Sequence, residues 1–178
     1  MGPFDNKRIV LCSADAGPKS QKDTPDQAGY FYHGAKWVGA MRNAAYRLGC
    51  RFVILTTAYG IVNPDTVIEP YDIPAWDNLK LLSADWYKSF RHILGENQYD
   101  IMVVHYGGCP EDPSFPVIKR ILNEMGISVI KFGRPNMFDI GKVDDLVRLL
   151  LKPAGTNIDE IRSILKYPWY LNYSFINK

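Results

Sequence analysis

Residues 51–57 read RFVILTT: one cation, then an unbroken run of aromatic, β-branched and aliphatic side chains closed by two threonines. A strand with one wet face alternates apolar and polar residues, and this run does not alternate. It predicts a strand buried on both faces, as in a parallel sheet with helices above and below. Three more runs share its character: 7–13 (KRIVLCS), 100–105 (DIMVVH) and 127–132 (ISVIKF). The segments between them have helical period. Residues 30–48 place Val38, Met41, Ala45 and Leu48 on one face, with Gly49 as the stop. Residues 77–94 begin at the potential cap Asp77 and place Leu79, Leu82, Trp86 and Ile93 on a stripe. Residues 115–125, 142–151 and 158–165 read the same way, the last two separated by Lys152-Pro153. An aromatic tail follows, with Tyr167, Trp169, Tyr170, Tyr173 and Phe175.

The order βαβαβαβα predicts a single three-layer α/β domain over 1–178, with a four-stranded, mainly parallel sheet and right-handed crossovers. Its core is expected over 7–151, with a C-terminal helix and the aromatic tail over 152–178. Composition agrees with a packed domain: 178 residues, 47% hydrophobic and 22% charged. No apolar stretch approaches the ~20 residues that cross a bilayer. The opening MGPFDNKRIV has no apolar core, so no signal peptide is expected and the expected compartment is the cytoplasm. Three widely spaced cysteines, Cys12, Cys50 and Cys109, argue against a disulfide framework or a zinc knuckle. His33, His92 and His105 have no ligand spacing, so neither a metal nor another cofactor is expected.

Net charge is only +2, but it is unevenly spread. Residues 1–60 hold 8 basic and 4 acidic side chains, 61–114 hold 3 and 9, and 115–178 hold 10 and 6. Two basic segments flank an acidic one, a pattern that fits an acidic pocket beside a surface for an anionic polymer.

Ligands of open α/β sheets bind outside the carboxyl ends of the strands. Four loops leave those ends. The first follows Cys12-Ser13 and contains Asp15, placed where a carboxylate could orient a water or stabilise a cation. Cys12 itself lies within the strand and reads as a small buried hydrophobe. The second loop, 58–76, contains Tyr59 and Tyr71, which could stack on a planar ligand, and Asp65, Glu69 and Asp72, which could accept protons. The third holds His105, Gly107 and Gly108. His105 ends a strand, and the glycines allow close backbone approach. The fourth, 133–136, offers Arg134 to a phosphate and Asn136 to a base edge. Neither a P-loop nor G-x-S-x-G occurs.

The segment TAYGIVNPD at 57–65, followed by IEPYD at 68–72, resembles the signature of the YaaA peroxide-stress proteins. It is also similar to a related group that opens with a strand ending in Cys-Ser, as Cys12-Ser13 does here, and to a module of the archaeosine-modifying, tRNA-guanine transglycosylase kind. The resemblance covers 7 to about 150 and implies a fold related to uracil-DNA glycosylase. The glycosylase motifs G-Q-D-P-Y and H-P-S are absent, so the correspondence is one of position. Asp15 follows the first strand, as the water-activating acid does in that fold, and 133–136 follow the fourth.

The expectation is therefore a DNA glycosylase that hydrolyses the N-glycosidic bond of a damaged or hypermodified base, such as the glucosylated cytosine of phage DNA in antiviral defence. Asp15 is expected to act on water and the sugar cation, with Asp72 as its substitute and His105 at the leaving base. Ser13, Tyr59, Tyr71, Gly107, Gly108, Arg134 and Asn136 are expected to bind substrate. DNA is the expected partner, no membrane is involved, and a monomer is expected. Two alternatives stay open: a non-catalytic nucleic-acid-binding stress protein, and a hydrolase or transferase of free nucleotides.

Overall fold

Every residue of the first strand, β1 (Ile9–Ala14), is buried, and β3 (Arg51–Thr56) is buried from its second residue onward. The same holds for β6 (Ile101–His105), while β7 (Ser128–Phe132) leaves only Lys131 partly exposed. The computed structural model describes residues 8–72, 79–95, 98–107, 114–133, 141–152, 156–165 and 170–171. β1 pairs in parallel with β3 on one side and β6 on the other, and β6 pairs in parallel with β7.

Alternate side chains of these strands feed two cores. On one face Leu11, Ile54, Val103 and Ile130 meet Met41 of α2 (Lys36–Leu48), Leu146 of α5 (Val143–Leu150) and Ile161 of α6 (Ile158–Ile164). On the other face Cys12, Val53, Val104 and Val129 meet Trp86 and Phe90 of α3 (Leu79–Leu94) and Ile121 of α4 (Phe115–Glu124). The arrangement is three-layered, as the uninterrupted apolar runs predict. Gly49 ends α2 in the left-handed conformation, φ 68°, and its N–H bonds the carbonyl of Ala45.

Three sequence expectations are corrected. The sheet has six strands, in the order β4-β3-β1-β6-β7-β8. Two short antiparallel edges flank the four parallel strands: β4 (Gly60–Val62) on β3, and β8 (Tyr170–Leu171) on β7. β4 lies in the stretch expected to be a loop. Its three-residue length and its glycine hide it from a periodicity reading. In the same stretch β5 (Val67–Ile68) pairs with β2 (Asp26–Gln27) in a second, two-stranded sheet. The helix expected over 30–48 is two: α1 (Ala28–Phe31) and α2. They part at 32–35, where Gly34 packs so closely on Ser20 that a Cβ would lie 2.9 Å from its Cα. Asp77, the expected cap of α3, and the loops 108–113 and 134–140 lie outside the described residues. No helix among the described residues is long and apolar enough to cross a membrane.

The β3–β4 turn fixes the second loop. Thr56 Oγ1 donates to the carbonyl of Gly60 at 2.9 Å and accepts from the N–H of Tyr59 at 2.8 Å. Gly60 has φ 70°, and a Cβ there would lie 2.1 Å from Ser89 Oγ on α3. Gly60→Ala is therefore expected to destabilise the protein by at least about 2 kcal/mol, through backbone strain and overpacking together. An unchanged urea midpoint would overturn this account of the turn.

Candidate functional site

The parallel strands run β3-β1-β6-β7 across the sheet, so the chain's direction of growth reverses between β1 and β6. A crevice forms at such a switch point, outside the carboxyl ends of the two strands. Asp15 follows β1 there and is half-buried. Its backbone N–H bonds the carbonyl of Leu55 at 2.8 Å, which extends the β1–β3 ladder by one step.

Three donors converge on Asp15 Oδ2. They are the N–H of Thr57 at 2.9 Å, the hydroxyl of Thr57 at 3.1 Å and the hydroxyl of Tyr71 at 2.5 Å. An oxygen that accepts three hydrogen bonds behaves as an ionised carboxylate. Since the Tyr71 proton is given to Asp15, the 2.6 Å contact between the Tyr71 and Tyr32 hydroxyls is donated by Tyr32. The result is a relay, Tyr32 to Tyr71 to Asp15. Burial, and then the Asp15 charge, hold both phenols protonated far above the ordinary tyrosine range. They are donors and not bases. Gln21, buried in the first loop, completes the frame: its Oε1 accepts from the N–H of Tyr71 at 3.0 Å and its Nε2 donates to the carbonyl of Ala16 at 2.9 Å.

Two aromatic groups border the carboxylate. Tyr59 is 42% exposed and meets Tyr71 edge to face, with ring centroids 5.8 Å apart. Trp37, from the first turn of α2, reaches across the switch point. Its Nε1 donates to the carbonyl of Ala14 at 3.2 Å, and its ring lies against Gly107, where a Cβ would come within 2.5 Å of it. Gly107 has φ 58°. It was expected to admit a ligand, and what it admits is the indole.

His105 and Ser13 are adjacent in the sheet register and lie beneath this layer with no exposed surface. Ser13 Oγ donates to the carbonyl of Ala14 at 3.0 Å. His105 Nδ1 accepts from the N–H of Gly107 at 2.9 Å, so the ring proton sits on Nε2, which is buried without a partner among the described residues. The edge of one ring meets the face of the other between His105 and Phe132, with centroids 4.9 Å apart. Burial pushes the imidazole down to about 4, so it is neutral near pH 7. Ser13 and His105 were expected to touch substrate. Both are fully buried at the ends of neighbouring strands, so neither presents a side-chain surface in this structure. Asp72 is exposed beside Tyr71. Cys12 is buried and its thiol is pushed up by desolvation, as a core residue's would be. Gly108, Arg134 and Asn136 lie outside the described residues.

Of the expected residues, Asp15, Tyr59, Tyr71 and Gly107 come together. Tyr32, Trp37, Thr57 and Gln21 complete the site, and sequence reasoning did not single them out. Tyr32 and Trp37 had one available signal: polar aromatics on a segment whose apolar period does not need them. No group of three or more metal-ligating side chains occurs among the described residues. Comparison with protein-family models, curated proteins and solved structures finds no match.

The buried imidazole makes stability depend on acidity. Its proton affinity is ordinary in the unfolded chain, near 6.5, and about 4 in the fold. The native state thus binds fewer protons, so stability is full above pH 6.5 and declines as pH falls toward 4. At about 1.4 kcal/mol per pH unit of difference, the loss is roughly 3 kcal/mol. His105→Asn keeps an acceptor for Gly107 and does not titrate. Its denaturation midpoint should fall less than the parent's between pH 6.5 and 4, and equal declines would refute the assignment.

Proposed function

We propose that the chain is an N-glycosyl hydrolase acting on a base in DNA, with Asp15 as its central catalytic group. The observation that carries this reading is the ionised Asp15 carboxylate, fixed by Thr57 and Tyr71 at the switch point of a parallel sheet and bordered by Tyr59 and Trp37. The resemblance of the 57–72 segment to nucleic-acid-linked families supplies the substrate class.

In this reaction the C1′–N bond breaks and its electron pair leaves with the base. The sugar becomes cation-like, the oxygen of a water bonds to C1′, and the displaced water proton passes through the carboxylate to solvent or to the departing base. Three hydrogen bonds on Oδ2 weaken Asp15 as a base but hold its charge in place. Its main contribution is then electrostatic stabilisation of the sugar cation, the kind of preorganised charge typically worth 10²–10³ in rate. Tyr59 and Trp37 supply flat surfaces for an extruded base. Asp72 is exposed on the same loop and is available for the water.

The test is incubation with DNAs containing normal, damaged and glucosylated bases, followed by alkali and a denaturing gel. Strand breaks that appear only after alkali are expected with the parent protein. Asp15→Asn should lower them by about 10²-fold or more while leaving the circular dichroism spectrum unchanged. A panel with no base release, or an Asp15→Asn protein of full activity, would overturn the proposal. Release from free nucleosides alone would move the assignment to nucleotide metabolism.

A further inference from the structure

A second surface lies at the opposite end of β3. A hollow of about 490 Å³ is bordered by Gln27, Tyr30, Tyr46, Arg51, Asn63 and Asp65. A smaller one of about 210 Å³ adjoins it and is bordered by Tyr30, Tyr32, His33, Lys36 and Arg42. Tyr30 belongs to both and forms the ridge between them. It is 54% exposed and Tyr46 is 63% exposed. Both rings border the same hollow, so together they offer flat surface to a planar partner.

The charge around them is mainly basic, with Asp65 the acid on the rim of the larger hollow. Between Asp26 and Asp65 the sequence contains no acidic residue, while Lys36, Arg42, Arg47 and Arg51 are basic. Arg47 is ion-paired with Asp144 at 2.8 Å. The other three lie on the two hollows. Arg42 is fixed by the carbonyl of Gly29, and its guanidinium stacks over the Tyr30 ring, 4.3 Å from the centroid. Arg51 is held by Asn63 Oδ1. Positioned cations, bare aromatic rings and side-chain amides in one open groove are the combination that follows a single nucleic-acid strand: cations meet phosphates and rings stack on unpaired bases.

The groove is joined to the Asp15 site by one short helix. In α1 and the residue after it, Tyr30 faces the groove while Tyr32 hydrogen-bonds Tyr71 in the relay. Along β3, Arg51 stands at the groove and Thr56 next to the carboxylate's anchor, Thr57. Five steps of about 3.3 Å separate Arg51 from Thr56. That is the length of roughly five nucleotides stacked at about 3.4 Å.

We propose that the Tyr30–Tyr46 groove binds the single strand flanking the reacting nucleotide, so that the substrate is single-stranded or locally opened DNA. This deepens the reading of the Asp15 site as a DNA glycosylase and rests on it for the identity of the polymer. A duplex keeps its bases stacked inside and would leave both tyrosines unused.

The test measures binding of fluorescein-labelled oligo-dT and of a blunt duplex of equal length, by anisotropy across a salt series, alongside base release. The parent protein should bind the single strand more tightly. Tyr30→Ala and Tyr46→Ala are both exposed changes and should each weaken single-strand binding by about 5- to 150-fold while leaving duplex binding unchanged. Lys36→Gln should flatten the log–log salt dependence for the single strand by about 0.7. Asp15→Asn should bind as the parent does. If the parent releases bases but the tyrosine variants bind oligo-dT normally, the groove assignment is overturned and the glycosylase stands. If the groove variants lose binding but no DNA ever loses a base, the glycosylase fails and the strand groove stands. If the parent binds no oligo-dT, the groove proposal is wrong.

Discussion

The Asp15 carboxylate ties the end of β1 to two distant points of the second loop at that end of the sheet. Its Oδ2 accepts from Thr57, 42 residues away, and from Tyr71, 56 residues away. Hydrogen bonds to an ionised group are worth roughly 1.5–3 kcal/mol each when kept from water. They help order a second loop whose described residues also form the edge strand β4 and the two-residue strand β5 on β2. An exposed loop aspartate could be replaced at a cost below ~0.5 kcal/mol. This one accepts from both Thr57 and Tyr71, so its side chain is both an anchor and the site's negative charge. Asparagine in its place keeps an acceptor oxygen and loses the charge, which is why the amide separates the two roles better than alanine would.

Trp37 shows how the same end of the sheet is closed. A doubly wound sheet leaves a gap where its strand order reverses, and here the indole fills part of it. The fit needs two concessions from the backbone: a carbonyl at Ala14 that turns toward the ring, and a residue at 107 with no side chain. His105 follows from this. With Gly107 turned to φ 58°, its N–H points back onto Nδ1 and fixes the neutral tautomer. The imidazole is therefore part of the support under the crevice, and its depressed proton affinity comes from burial and not from any charged neighbour.

The four parallel strands were legible because burial on both faces leaves an unbroken apolar run, and its short length and β-branched content separate it from a buried helix. The helices were legible where they are long enough for a stripe. The losses were local. β4 and β8 are three and two residues long, too short for any period, and the break between α1 and α2 is set by a contact with Ser20 that no spacing encodes. At the site, Asp15 and the tyrosines of the second loop were legible from their place after strands. Ser13 and His105 were chosen by the same logic and are both fully buried, because the strand-end rule gives a residue's place along the chain and not its exposure. Tyr32 and Trp37 reach the site from α1 and α2, which do not end at the sheet's carboxyl edge, so a rule based on strand ends passes over them; Gln21 is in the first loop, where an uncharged amide gave no signal of its own.

Net charge concealed the most useful electrostatic fact. An overall +2 and a +4 over residues 1–60 both average across a stretch, Gln27 to Pro64, that has bases and no acids. That stretch contains α1, α2, β3 and β4. The carboxylates it lacks are not simply elsewhere: Asp15 precedes it and Asp65, Glu69 and Asp72 follow it. The fold brings Asp15, with Tyr71 and the adjacent Asp72, to the carboxyl end of β3, while Asp65 lies with Arg51 at its start and the other cations lie along α2. For a polyanion this is a directional field. In the proposed reading, phosphates are attracted to the α2 side and repelled from Asp15, and a strand in the groove presents only an uncharged base to the carboxylate. A carboxylate proposed to act on a polyanion needs such a separation, because within the ~8 Å screening length of physiological salt a phosphate beside Asp15 would oppose binding directly.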